Sequence, residues 1–262
     1  MASGIFIVPV LTLFGHLDIY SAVGASLVSV IACSCGSAAP FLIRGFTNVR
    51  LAVVLETATT AGALSGVLLV GIIPTNWLYL LFAVILIVSA QQMLAPRGAV
   101  VVVTGEGEEE SWGARLRLDS SYPDASLGET VHYRVQRLPM GMLLMYAAGL
   151  ISALLGIGSG VLKIPAMDSA LRLPIKVSTA TSNFMIGVTA AASAAAYFMR
   201  GNIVPLVAGP VALGSVLGAL LGARILLAVS SEKIRLFFVV VLVLLAVAMV
   251  LTAFDIHLFG TK

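Results

Sequence analysis

Apolar residues in this chain run in long blocks, and the polar positions fall between the blocks instead of alternating within them. Uncharged stretches cover residues 20–43, 77–95, 139–162, 177–199, 203–223 and 236–254, each near the roughly 20 residues that a membrane-spanning helix needs. A further stretch, residues 51–73, carries a single charge, Glu56. Hydrocarbon offers no partner to a backbone N–H or C=O, so stretches of this kind must be helical or sheltered by other helices. The pattern predicts an all-α polytopic membrane protein.

One segment breaks the pattern. Residues 96–138 are hydrophilic, with an acidic run at 106–110 and short alternating stretches at 99–104, 114–118 and 130–136 separated by Gly, Ser, Pro and Asp. Period-two alternation with such turn residues predicts a small β-hairpin or three-stranded patch outside the bilayer; a solvated linker is the alternative. The chain therefore divides into residues 1–95, 96–138 and 139–262.

The two apolar parts are copies of one another. Shifting the chain by 156 positions sets Ser3-Gly4 on Ser159-Gly160, Pro9 on Pro165, Ser26 on Ser182, Arg44-Gly45 on Arg200-Gly201 and Gly62 on Gly218. Ungapped self-similarity of this kind marks a duplicated unit. The second copy is preceded by the apolar run that starts at Pro139, whereas the first starts at the beginning of the chain, so an equivalent helix is expected upstream of residue 1, the alternative being a protein that works with a shortened first copy.

How the copies are oriented follows from the basic residues. If residues 139–171 cross once, Lys and Arg divide evenly between the two faces. If they enter, break and leave on the same side, then Arg44, Arg50, Arg97, Arg134, Arg137, Arg172, Lys176, Lys233 and Arg235 share one face, with Arg200 the main exception. A shared basic face is the cytoplasmic one. The repeats are then inverted, built around broken, re-entrant helices, and residues 96–138 are cytoplasmic.

The break itself lies in LLGIGSGVLKIP, residues 154–165. Its glycines can take conformations closed to larger residues, and Pro165 limits helix continuation on its N-terminal side. A half-helix beginning near Ser159 presents free N–H groups and the positive end of its dipole, which is an anion site. Lys163, one turn on and with no carboxylate within four positions of it, adds a full charge; a lysine reaching to the headgroups is the bland alternative. The predicted substrate-binding set is Gly158, Ser159, Gly160, Lys163, Thr181, Ser182 and Asn183 from the second copy, faced by Ser3, Gly4 and Ser26 from the first. The hydroxyls can equally serve as packing between helices. Ile7 stands where the second copy has Lys163, so the half-sites are unequal. Glu56 is the candidate for carrying a proton, or else pairs with a basic residue near the interface.

Composition narrows the field. With 60% hydrophobic and 10% charged residues the chain is not a soluble domain, and a net charge of +3 is too sparse for a nucleic-acid surface. Cys33 and Cys35 point to different helix faces and have no metal spacing, so neither metal nor cofactor is expected. No basic segment with a cleavage site precedes the first apolar run, so no removable signal peptide is expected. No HExxH, nucleophile with a base, or Asp/His cluster is present, so no enzyme is expected; a membrane scaffold remains the main rival to a transporter.

The stretches GLISALLGIGSGVLKIPAM and PIKVSTATSNFMIGVTAAASAAAYFMRG, with the weaker echo SGIFIVPVLTLFG in the first copy, resemble the TauE/SafE family of sulfite and organosulfonate exporters. The resemblance implies a multi-pass protein of the inner or plasma membrane, able to form homo-oligomers, that exports small anions such as sulfite, sulfoacetate or thiosulfate. Three features depart from the family's pattern: the shortened first copy, Ser159 within the glycine run, and the long central insert.

Overall fold

The computed structural model describes residues 3–94, 112–124, 129–228 and 231–254. The acidic run at 106–110 and the alternating stretch at 99–104 lie outside them.

The helices are α1 (Ser3–Leu13), α2 (Ile19–Ile43), α3 (Val49–Leu69), α4 (Thr75–Leu94), a short α5 (Trp112–Arg115), α6 (Leu138–Leu155), α7 (Gly160–Leu171), α8 (Ile175–Met199), α9 (Pro205–Ala228) and α10 (Ser231–Ala253). Five segments, within α2, α3, α4, α6 and α10, are long and apolar enough to cross a membrane. The duplication is visible in the element boundaries. The shift that aligns the sequence carries the starts of α2, α3 and α4 onto those of α8, α9 and α10, Ile19 onto Ile175, Val49 onto Pro205 and Thr75 onto Ser231.

Local chemistry sets several of these ends. The Asp18 carboxylate accepts hydrogen bonds from the Tyr20 and Ser21 amides at the start of α2, and the Asn48 side chain accepts one from the Leu51 amide at the start of α3. Each cap satisfies donors that the first helical turn leaves free. The expected break falls between α6 and α7, where Gly156, Gly158 and Ser159 all have left-handed backbones, with φ of 67°, 75° and 54°. Glycine takes this conformation freely, whereas in Ser159 it costs roughly 1–2 kcal/mol. Pro165 lies inside α7 instead of limiting it.

After the break the chain turns back. Gly141, at the start of α6, lies against the Leu171 side chain at the end of α7, so closely that a Cβ at Gly141 would overlap it. The Gln136 amide donates to the Leu171 carbonyl at 3.3 Å. Where α6 begins, α7 therefore ends.

Two polar junctions lie at opposite ends of α3. At its N-terminal end, the Asn48 amide donates to Thr181 Oγ1 (3.2 Å), and its Nδ2 donates to the Leu118 carbonyl (2.8 Å) and the Tyr133 hydroxyl (3.0 Å). An apolar cluster containing Leu51, Leu55, Leu118, Tyr122, Tyr133, Leu138, Met167 and Leu171 surrounds that junction. Burial raises the Tyr133 phenol above its ordinary range, with the bond from Asn48 acting against it. At the other end, Arg200 donates to the Val70 carbonyl (2.6 Å) and Tyr20 to the Ile73 carbonyl (3.4 Å).

Helix contacts are tight where glycine allows. On α3, a Cβ at Gly62 would overlap the Tyr146 carbonyl of α6, one at Gly66 would stand 2.5 Å from the Leu150 carbonyl, and Gly149 of α6 is equally pressed on Thr59. On α9, by contrast, a Cβ added at Gly209, Gly214 or Gly218 would meet nothing within 4 Å.

In the central segment β1 (Ser120–Asp124) pairs antiparallel with β2 (Glu129–Tyr133). The strands differ from those expected. The alternating stretch at 114–118 is the end of α5 and a turn, and the expected strand at 130–136 stops at Tyr133. The partner strand, SSYPD, has too few apolar residues for alternation to reveal it.

Candidate functional site

The break between α6 and α7 meets the start of α1. A Cβ on Gly4, near the start of α1, would lie 2.5 Å from the Gly156 carbonyl, 2.9 Å from Ser26 Oγ and 3.0 Å from the Ile157 Cα. Ser26 Oγ donates to the same Gly156 carbonyl at 2.8 Å. A left-handed residue thus turns its carbonyl out of α6 and onto the first copy's helix start, where only a glycine leaves room.

Beyond the turn the first amides of α7 have no preceding carbonyl within the helix to bond. Ser159 serves as N-cap by position, but its side chain makes no cap bond. Its Oγ, like Ser182 Oγ and Ser178 Oγ of α8 and Ser152 Oγ of α6, is buried without a hydrogen-bond partner. An unpaired buried hydroxyl carries a desolvation penalty of about 1–3 kcal/mol. Four such groups on the three helices around the break are donors and acceptors without protein partners.

Lys163 is fully buried, and its carboxylate partner is Glu56, 107 positions away, with Nζ 3.2 Å from Oε2. Nζ also donates to Thr189 Oγ1 at 2.6 Å, and that hydroxyl lies 2.6 Å from Glu56 Oε1. Thr60, one turn along α3, donates to the same Oε1 at 3.2 Å. An ion pair in such a place persists only because further bonds satisfy its remaining atoms. Lys163 is therefore a buried, partnered cation, not one that reaches to the headgroups.

The remaining expected residues are placed as follows. Gly158 packs on Val30 and Ile186. Gly160 is the first residue of α7, and Ser3 the first of α1. The Asn183 carbonyl accepts from Ser34 Oγ at 2.7 Å. Thr181 stands apart, holding Asn48 at the α2–α3 connection. The structure thus gathers Gly4, Ser26, Gly156 and the Gly158–Gly160 run at one place, sets Lys163 a turn further on, and leaves Thr181 at the junction.

Thr189 was not anticipated. In the sequence it is one hydroxyl within GVTAAAS, indistinguishable from packing between helices; only the convergence of α3, α7 and α8 makes it the link between two charges.

Known proteins resemble this chain over most of its length. The chain is 24% identical to the probable membrane transporter protein YunE of Bacillus subtilis (strain 168), over 94% of this chain and 88% of that one. It is 24% identical to the probable membrane transporter protein YdhB of the same organism, over 84% and 80%. No solved structure matches it. These names denote transport and not catalysis, and with five helices of membrane length the chain is a multi-pass protein of the cell membrane. The family model described as sulfite exporter TauE/SafE matches residues 1–249, and the chain belongs to that family.

Proposed function

We propose that this membrane transporter exports small sulfur-containing anions, sulfite, sulfoacetate, thiosulfate or related sulfonates, by alternating access between two inverted repeats. The observation that carries the reading is the contact at the break: the start of α1 lies against the Gly156 carbonyl, next to the α7 N-terminus that the Ser159 side chain leaves uncapped, with the buried Lys163 one turn on.

Support for inversion comes from the chain's course. Because α6 and α7 form a hairpin, α8 starts at the end of the molecule where α3 starts, whereas its counterpart α2 starts at the other. The equivalent helices α2 and α8 pack antiparallel, with Gly24 against Asn202 and Ser34 against Gly187 and Asn183. Opposed copies place half-helix ends at mid-depth, the usual location of a transporter site. Arg44, Arg137, Arg172 and Lys176 then lie with β1 and β2 on the cytoplasmic side.

In this reading the anion's oxygens take hydrogen bonds from the Gly160 and Val161 amides and from Ser159, Ser182 and Asn183. Lys163 supplies charge, and Ser3, Gly4 and Ser26 form the opposing wall. Neutral donors suit a tetrahedral oxyanion because they bind it without fixing its valence.

The experiment is uptake into proteoliposomes of the purified full chain, using labelled sulfite, thiosulfate and sulfoacetate. Saturable flux above protein-free vesicles for at least one of them is expected. Background flux for all three, from protein that remains monodisperse, would point to the scaffold rival.

A further inference from the structure

The pairing of Lys163 with Glu56 bears on what else moves with the anion. Lys163 has no exposed surface and the Glu56 side chain keeps 11%. In the observed state the two charges cancel. A monovalent anion arriving at Lys163 would leave the site with an uncompensated negative charge, the state that burial at membrane depth penalises most. A proton on Glu56 removes it.

We infer that Glu56 occupies the anion's place on Lys163, and that each anion binds together with one proton that neutralises Glu56, making the protein a proton–anion symporter whose outward flux is driven by the anion's own gradient. The inference rests on the anion-transport reading above and adds the coupling. The exchange balances: a water-borne proton adds to a Glu56 carboxylate oxygen, the Lys163–Glu56 contact opens, and the anion takes its place on Nζ. Thr189 makes the swap local. Its hydroxyl accepts from Lys163 while its own hydrogen faces Glu56 Oε1; once Glu56 is a carboxylic acid it donates to Thr189, which is then free to donate to the anion.

Among the described residues no other charged group bonds to Lys163 or Glu56; α7 also carries the half-buried Asp168 and α8 the exposed Lys176 at its start. Of the helices that pack on α3, α8 presents the Thr189 hydroxyl, and α6 contains no Asp, Glu, Lys, Arg or His, its Tyr146 hydroxyl being spent on Ser65. On α3 itself the Thr60 hydroxyl reaches the carboxylate, and Arg50 is exposed near the helix start. Lys163 comes from α7.

Because one carboxylate holds the pair, the proton number is set at one and the charge moved must vary with the anion's valence. A sulfonate monoanion such as methanesulfonate then crosses without net charge, whereas thiosulfate, a dianion, carries one net negative charge. Proteoliposomes of the full chain, loaded with a pH-sensitive dye and clamped with potassium and valinomycin, read both quantities against labelled methanesulfonate, thiosulfate and sulfoacetate.

The expected result is lumen acidification that tracks anion entry one for one, with methanesulfonate flux indifferent to the clamped potential and thiosulfate flux following it. Glu56→Gln is expected to lose the acidification while Glu56→Asp keeps it. Anion flux with no proton movement in the unaltered protein would overturn the coupling and leave transport standing. Absence of flux for every anion would overturn both. Because the unaltered protein alone decides the matter, a variant that fails to fold removes nothing from the test, and acidification persisting in a folded Glu56→Gln protein would also overturn it.

Discussion

Single residues decide whether the buried pair is tolerable. Replacing Lys163 by Met leaves the Glu56 carboxylate buried without its cation, which should destabilise the fold by about 3–5 kcal/mol. Adding Glu56→Gln to that variant removes the orphaned charge and should recover most of the loss, while anion flux stays absent. Thermal unfolding in detergent, compared among the single and double variants, checks the first statement, and vesicle uptake the second. Equal melting of the two variants would mean that the charges do not stabilise each other. At the α2–α3 connection, Asn48→Ala removes a helix cap and both bonds to residues 118 and 133, and should lower stability by about 2 kcal/mol or more. The glycines, Ser159 and Lys163 could be picked out from the sequence because each is out of place in an apolar run. Their partners could not: Glu56 and Thr189 meet Lys163 only through folding, and no local pattern encodes a contact across 107 positions.

At the scale of elements, small residues count only where a neighbour presses on them. Gly62 and Gly218 are equivalent in the duplication, yet α6 lies on the first and, among the described residues, nothing approaches the second. Leucine at position 62 must push α3 and α6 apart at a backbone contact and should cost at least about 3 kcal/mol; leucine at 218 should change the melting temperature little. Comparable losses at both sites would show that α9 also packs through this stripe. The sequence treats both stripes alike, because an ungapped repeat carries spacing and not partners. The shift that aligns the copies also aligns the starts of three helix pairs, and the sequence revealed the break, since three glycines flank Ser159 within five residues. It overstated Pro165, which α7 accommodates within its first two turns, and missed the SSYPD strand, which has no apolar face to display.

For the whole molecule the decisive question is whether the two copies are opposed, as proposed above. With Cys33 and Cys35 changed to serine, single cysteines at His132 and Arg172 should react with an impermeant thiol reagent from the cytoplasmic side of oriented vesicles, and single cysteines at His16 and Asn76 only from the other. Labelling of positions 16 and 172 from one side would make the copies parallel. The sequence bears on the proposed opposition only indirectly, through the arrangement of basic residues, because apolar runs look alike in either direction. What it implied about the site was its proposed position; the charge-paired state of Lys163 is a property of three helices brought together. The most direct test of the account asks whether an anion occupies the break between α6 and α7, where the start of α1 meets it. In the same cysteine-free background, Ser159→Cys protein in proteoliposomes is labelled with a maleimide in the presence and absence of sulfoacetate. The account predicts labelling that slows in proportion to sulfoacetate occupancy and saturates at the concentration that saturates flux; labelling at the same rate at every sulfoacetate concentration, in protein that still transports it, would contradict it.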